Sequence, residues 1–160
     1  MQSVRELEKA GADFIVLPCN TLHSLINEIR KNTHLEVIDL IESVSNKIRK
    51  IYKNIGILCT NKTREEKLYD SQLEGIRILY PTNIEQRKVS EIIIRIIRNS
   101  STDEDKLFLN ELISKMIGFG AEKIILACTD LANLIKDNSS TLDSTEILIK
   151  IILEKMKLSD

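Results

Sequence analysis

The sequence predicts an α/β protein of two pseudo-symmetric lobes, each a mostly parallel sheet flanked by helices. Three observations carry this expectation. Apolar runs of about five to seven residues alternate with amphipathic stretches along the whole chain, the pattern of parallel strands buried on both faces. Two of those runs belong to one repeated unit. A chain of 160 residues with 42% hydrophobic side chains suffices for one ordinary domain, or for two small lobes sharing a core.

The elements follow in order. Val4 and Leu7, three apart, open a helix that runs to about Lys9. "FIVLP" (14–18) is a strand, and Leu22, Leu25, Ile26 and Ile29 have helical spacing. "EVIDL" (36–40) is a short strand, "IESVSNKIRKIY" (41–52) a helix and "NIGILCT" (54–60) a second buried strand. Helical spacing returns from Thr63 to Leu73, "IRILYP" (76–81) is a strand, and 84–98 and 104–118 are two helices. "EKIILAC" (122–128) is a strand and 143–157 a closing helix. "NSSTDED" (99–105) and "KDNSSTLDS" (136–144) read as polar loops.

A shift of 109 positions, from Cys19 to Cys128, superposes "GADFIVLPCNTL" on "GAEKIILACTDL" with six of twelve positions identical. Each copy reads as Gly-Ala, strand, Cys, helix. The glycine ends the preceding helix, where a positive φ is needed. The cysteine falls where strand becomes helix, and there backbone N–H groups and the helix dipole are expected to lower its pKa. Asn20 and Thr21 in one copy, and Thr129 and Asp130 in the other, are placed to cap the helix or bind a small anion.

Several function classes are disfavoured. The net charge is -1, from 23 basic and 24 acidic residues, so no global field favours nucleic acid or an anionic membrane. No run reaches the roughly 18 apolar residues of a membrane span, and the first residues lack an apolar signal core, which predicts a cytoplasmic protein. Three cysteines without a CxxC pair fit neither a disulfide framework nor a structural zinc site, and no metal is expected. An arginine six residues after a cysteine, as a Cys-dependent phosphatase needs, is missing: those positions hold Leu25, Glu65 and Leu134. Cys59 lacks the Gly-Ala lead-in and reads as a structural thiol. His23, one turn after Cys19, packs or tunes the surroundings of that cysteine.

Two thiols in mirror-related positions suit a reaction whose substrate has two faces. Racemisation beside a carboxylate requires a base on one face of Cα and an acid on the other, and a thiolate/thiol pair can exchange those roles. Charge developing on the carboxylate must also be stabilised. No cofactor is required by this logic.

"GADFIVLPCNTLH" and "IILACTD" resemble the signature segments of the aspartate/glutamate racemase family, in particular its aspartate racemase branch. "NIGILCTNKTREEKLYDSQL" is similar to that family's segment opening the second lobe, and "LDSTEIL" to the start of its closing helix. The resemblance implies a racemase without pyridoxal phosphate, a homodimer, that interconverts L- and D-aspartate or a related acidic amino acid. It implies catalytic roles for Cys19 and Cys128, and substrate-binding roles for Asn20, Thr21, Thr60, Thr63 and Thr129. Arg98 is the nearest match to the family's lysine for the side-chain carboxylate.

The family's opening strand, glycine-rich loop and substrate-binding arginine would precede Met1, so the first lobe is expected to be truncated. On this reading residues 1–52 plus 141–160 make the incomplete first lobe and 53–140 the second. Leu22 replaces the family's Ala and Asp130 its Glu. The alternative reading is a truncated, catalytically impaired homologue with a ligand-binding or assembly role.

Overall fold

Every apolar run expected to be a strand forms one in the computed structural model, which describes residues 2–135 and 138–157. In chain order the elements are α1 (Gln2–Lys9), β1 (Phe14–Val16), a 3-10 helix (Asn20–Leu25), α2 (Ile26–Lys31), β2 (Glu36–Ile38), α3 (Leu40–Ile48) and β3 (Asn54–Cys59). Then come α4 (Asn61–Glu65), a short 3-10 turn (Asp70–Gln72), β4 (Arg77–Leu79), α5 (Asn83–Ile97), α6 (Asp103–Gly118), β5 (Lys123–Ala127), α7 (Thr129–Leu134), β6 (Thr141–Asp143) and α8 (Ser144–Lys157).

All strand pairs are parallel. β1 pairs with β2, and β4-β3-β5-β6 form a second sheet. Side chains on β3 and β5 alternate between two cores, as the two-residue period of a strand requires. Ile55, Ile57, Cys59, Ile125 and Ala127 face α3 and α8. Leu58, Ile124 and Leu126 face α5, α6 and α7. Both faces are covered, which is why these strands read as unbroken apolar runs. A smaller core of Val4, Ile15, Leu17 and Val37 holds α1 against β1 and β2.

Two glycine positions show the repeat in the backbone. Gly11 (φ 78°) follows α1 and Gly120 (φ 96°) follows α6, both in the left-handed region expected at these helix ends. Gly56 has a different reason: a Cβ there would lie 2.3 Å from Ile124 Cδ1 and 2.9 Å from Met116 Cε, so any side chain would force these two core side chains between α6 and β3 to shift.

The structure departs from the sequence expectations in two places. The stretch 136–144 contains β6, which extends the sheet beside β5; positions 136 and 137 lie outside the described residues. The helix expected over 63–73 is the single turn of α4, capped by Thr60 and broken at Lys67, whose φ of 51° leaves the helical region. α3 and α8 pack in one core shared by both sheets, where Leu40, Val44, Ile48, Ile147 and Leu148 meet Phe14, Val16 and Ile38 of the β1–β2 pair and Ile55, Ile57 and Ile125 of the four-stranded sheet.

Candidate active site

β1 and β5 lead to Cys19 and Cys128 in matching backbone conformations. Each cysteine is the last extended residue before a helical turn, Cys19 at φ −140° and ψ 113°, Cys128 at φ −150° and ψ 123°. The sequence repeat is thus also a repeat of local geometry. Neither helical turn receives a side-chain cap, so the capping expected of Asn20, Thr21, Thr129 or Asp130 does not occur. The cysteine itself occupies the cap position, and sulfur is a weak acceptor.

The expected lowering of the thiol pKa fails at Cys128. Burial pushes this thiol up to about 11, and the Asp130 carboxylate, whose Oδ2 accepts from Sγ at 3.7 Å, pushes the same way. The backbone N–H groups of Asp130 and Leu131 pull in the other direction without prevailing. A helix of six residues offers little compensation for lost water. Cys59 is fully buried, and burial pushes its thiol up to about 12, as suits a core side chain. Cys19 is half-buried.

Asn20, the residue after Cys19, ties this loop to the opposite end of the chain. Its side chain is buried; Oδ1 accepts from the Tyr69 hydroxyl at 2.6 Å and Nδ2 donates to Ser144 Oγ at 3.1 Å. Ser144 in turn donates to the carbonyl of Leu126, two residues before Cys128, at 2.9 Å. The two cysteine segments are therefore linked through one chain of buried hydrogen bonds. Its carboxamide is thus engaged through both its oxygen and its nitrogen.

Thr21, Thr60 and Thr63 form a ring of hydroxyls, with Thr21–Thr60 at 2.9 Å, Thr60–Thr63 at 3.0 Å and Thr21–Thr63 at 3.2 Å. The Thr63 N–H also donates to Thr60 Oγ1, capping α4. Three hydroxyls arranged this way can each donate to the next, and any one can turn outward to meet an anion. Thr129 stands apart from this ring and lines a cavity of about 870 Å³ shared with Asn133, Asn138, Thr141, Asp143 and Glu146. Arg98 is exposed at the end of α5, and among the described residues no hydrogen bond or ion pair joins it to the other expected site residues.

The structure thus brings Thr21, Thr60 and Thr63 together, while the neighbouring Asn20 is tied to Tyr69 and Ser144. Tyr69 and Ser144 were not singled out from the sequence. Their partner Asn20 lies 49 and 124 positions away, a separation with no periodic signature.

The sequence profile described as Asp/Glu/Hydantoin racemase matches residues 1–152. The chain belongs to the Asp/Glu/hydantoin racemase family. Among individual proteins, it is 29% identical over 151 residues to the broad specificity amino-acid racemase RacX of Bacillus subtilis, an alignment covering 91% of this chain and 65% of the relative. The family fold is shared with an aspartate racemase homologue from Pyrococcus horikoshii OT3 (TM-score 0.80, 24% identity, 96% of this chain and 70% of that one). It is shared also with the aspartate racemase of Picrophilus torridus (TM-score 0.79, 22% identity, 91% of this chain and 62% of that one). This family member therefore spans about two thirds of the length of these three proteins. Among the described residues, no helix is long and apolar enough to cross a membrane.

Proposed function

We propose that this family member interconverts the enantiomers of aspartate, or of a closely related acidic amino acid, by proton transfer at Cα between Cys19 and Cys128, without pyridoxal phosphate or a metal. The single observation that carries the reading is the equivalence of the two cysteines, in sequence context and in backbone conformation, at the ends of β1 and β5. The Bacillus subtilis relative's name as an amino-acid racemase of broad specificity supports the substrate class.

In the forward step a Cys19 thiolate removes the proton on one face of Cα. The Cα–H bond breaks, a Cys19 S–H bond forms, and the electron pair moves into the α-carboxylate. Cys128 then gives its S–H proton to the opposite face, leaving a Cys128 thiolate. Burial holds Cys128 as the neutral thiol at neutral pH, which suits it to begin as the donor. The hydroxyls of Thr21, Thr60, Thr63 and Thr129 and the backbone N–H of Asn20 hold the carboxylates, and Arg98 is assigned to the side-chain carboxylate. The working unit is a cytoplasmic homodimer of two-lobed chains, residues 1–52 with 141–160 against 53–140, whose lobes share the core that α3 and α8 complete.

The test is proton exchange at Cα. Incubation with L-aspartate in D2O should remove the Cα proton signal in NMR and produce D-aspartate. Cys19→Ser and Cys128→Ser variants should each lose exchange on one face. Either variant exchanging on both faces at the wild-type rate sinks the two-cysteine mechanism, and folded wild-type protein that exchanges neither aspartate nor glutamate sinks the acidic substrate.

A further inference from the structure

His23 is buried one turn after Cys19, and both its ring nitrogens are engaged. The backbone N–H of Leu40, the first residue of α3, donates to Nε2 at 2.9 Å. A nitrogen that accepts from an N–H carries no proton, so the ring proton sits on Nδ1. Nδ1 lies 2.9 Å from the Cys19 carbonyl oxygen and donates to it. The imidazole is therefore a neutral bridge with one direction, from the Leu40 N–H through the ring to the Cys19 carbonyl. Asp39 Oδ1 is 3.6 Å from Nε2 but already accepts from the Glu42 N–H at 3.0 Å, and Asp39 Oδ2 faces the Arg30 guanidinium at 3.6 Å.

We infer that His23 is a positioning residue for Cys19. It clamps the Cys19 peptide to the N-terminus of α3 and holds it in the extended conformation from which the sulfur is presented. The role of that sulfur rests on the two-cysteine reading above; the clamp rests on the ring's two hydrogen bonds. The other copy of the repeat has no counterpart, because Ala132 occupies the equivalent position. Cys128 is held instead by burial, with its sulfur against Asp130. Two cysteines that match in backbone are thus held by different means, and only Cys19 depends on an imidazole.

The clamp is tested with two variants that each keep half of it. Asparagine places a donor near the Nδ1 position, and glutamine places an acceptor near Nε2. The readout is the rate of alkylation by iodoacetamide, resolved by mass spectrometry at Cys19 and Cys128 separately, at one pH. Each variant cuts the bridge at one end, so His23→Gln and His23→Asn should both speed alkylation of Cys19 by about fivefold, the weight of one hydrogen bond. Cys128 should react at the wild-type rate in both. A Cys19 rate within about twofold of wild type in either variant, or a parallel change at Cys128, overturns the inference.

Long-range nitrogen–proton NMR of the wild-type imidazole is a second test that needs no variant to fold. It should show the proton on Nδ1, and a proton on Nε2 overturns the bridge. Neither measurement needs turnover. A wild-type protein without Cα exchange but with the clamp intact refutes the racemase reading, and exchange without the clamp refutes this inference.

Discussion

Replacing Asn20 by alanine cuts the link between the two cysteine segments, and the structure sets the size of the effect. The Tyr69 hydroxyl is fully buried and has Asn20 Oδ1 as its acceptor, so the variant leaves a buried hydroxyl unpaired, at about 1–3 kcal/mol. Loss of the Asn20–Ser144 hydrogen bond adds about 0.5–1.5 kcal/mol, while Ser144 keeps its bond to Leu126. The expected loss is therefore about 1.5–4.5 kcal/mol, a large share of the roughly 5–15 kcal/mol that stabilises an ordinary domain.

Tyr69→Phe strands the Asn20 oxygen instead and should cost about 1–2 kcal/mol. Both single variants break the same bond, so the double variant should cost about 1–2 kcal/mol less than their sum. Urea unfolding followed by circular dichroism, with the slope unchanged, measures all three. The reasoning is refuted if Asn20→Ala lies within about 0.5 kcal/mol of wild type, or if the two substitutions add without coupling.

Three further outcomes are expected. Gly56→Ala forces a methyl group against Ile124 and Met116, whose contacts are the ends of flexible side chains, and should lower stability by about 1–3 kcal/mol. A thermal midpoint equal to that of wild type would show that these side chains step aside freely. The alkylation rate of Cys128 should keep rising with pH towards about 11, and a plateau near neutral pH would mean that the helix start outweighs burial. Glu85 is held down to about 2 by Lys115 and Thr82, below its ordinary 4.5; it therefore contributes stability above about pH 4.5 that is lost as pH falls towards 2. Lys115→Met should flatten the pH dependence of the urea midpoint across that window, and an unchanged dependence would dissociate the pair from acid stability.

Much of the fold was legible because it depends on local chemistry. β3 and β5 are recognisable as apolar runs since both their faces are buried, and no polar alternation interrupts them. The positive φ of Gly11 and Gly120 could be read because the same Gly-Ala unit stands before the same strand twice. The repeat also gave the equivalence of Cys19 and Cys128. The helical spacing over 63–73 misled, because Lys67 breaks the turn and Leu68, Tyr69 and Leu73 then pack by tertiary contact instead of along one helix face.

By itself the sequence determined where five of the strands and most of the helices lie, that those strands run parallel, and that two cysteines share one setting, all consequences of periodicity and turn chemistry acting over a few residues. Only the tertiary structure decided what surrounds those cysteines. Burial overrides the helix start at Cys128, since losing water costs a thiolate more than two N–H groups return. The ring of Thr21, Thr60 and Thr63 needs two loops about 40 residues apart to meet, and the Tyr69–Asn20–Ser144 link joins the first turn of the site to the last helix. Contacts of that range leave no mark on local pattern, because their energy comes from closing the chain on itself.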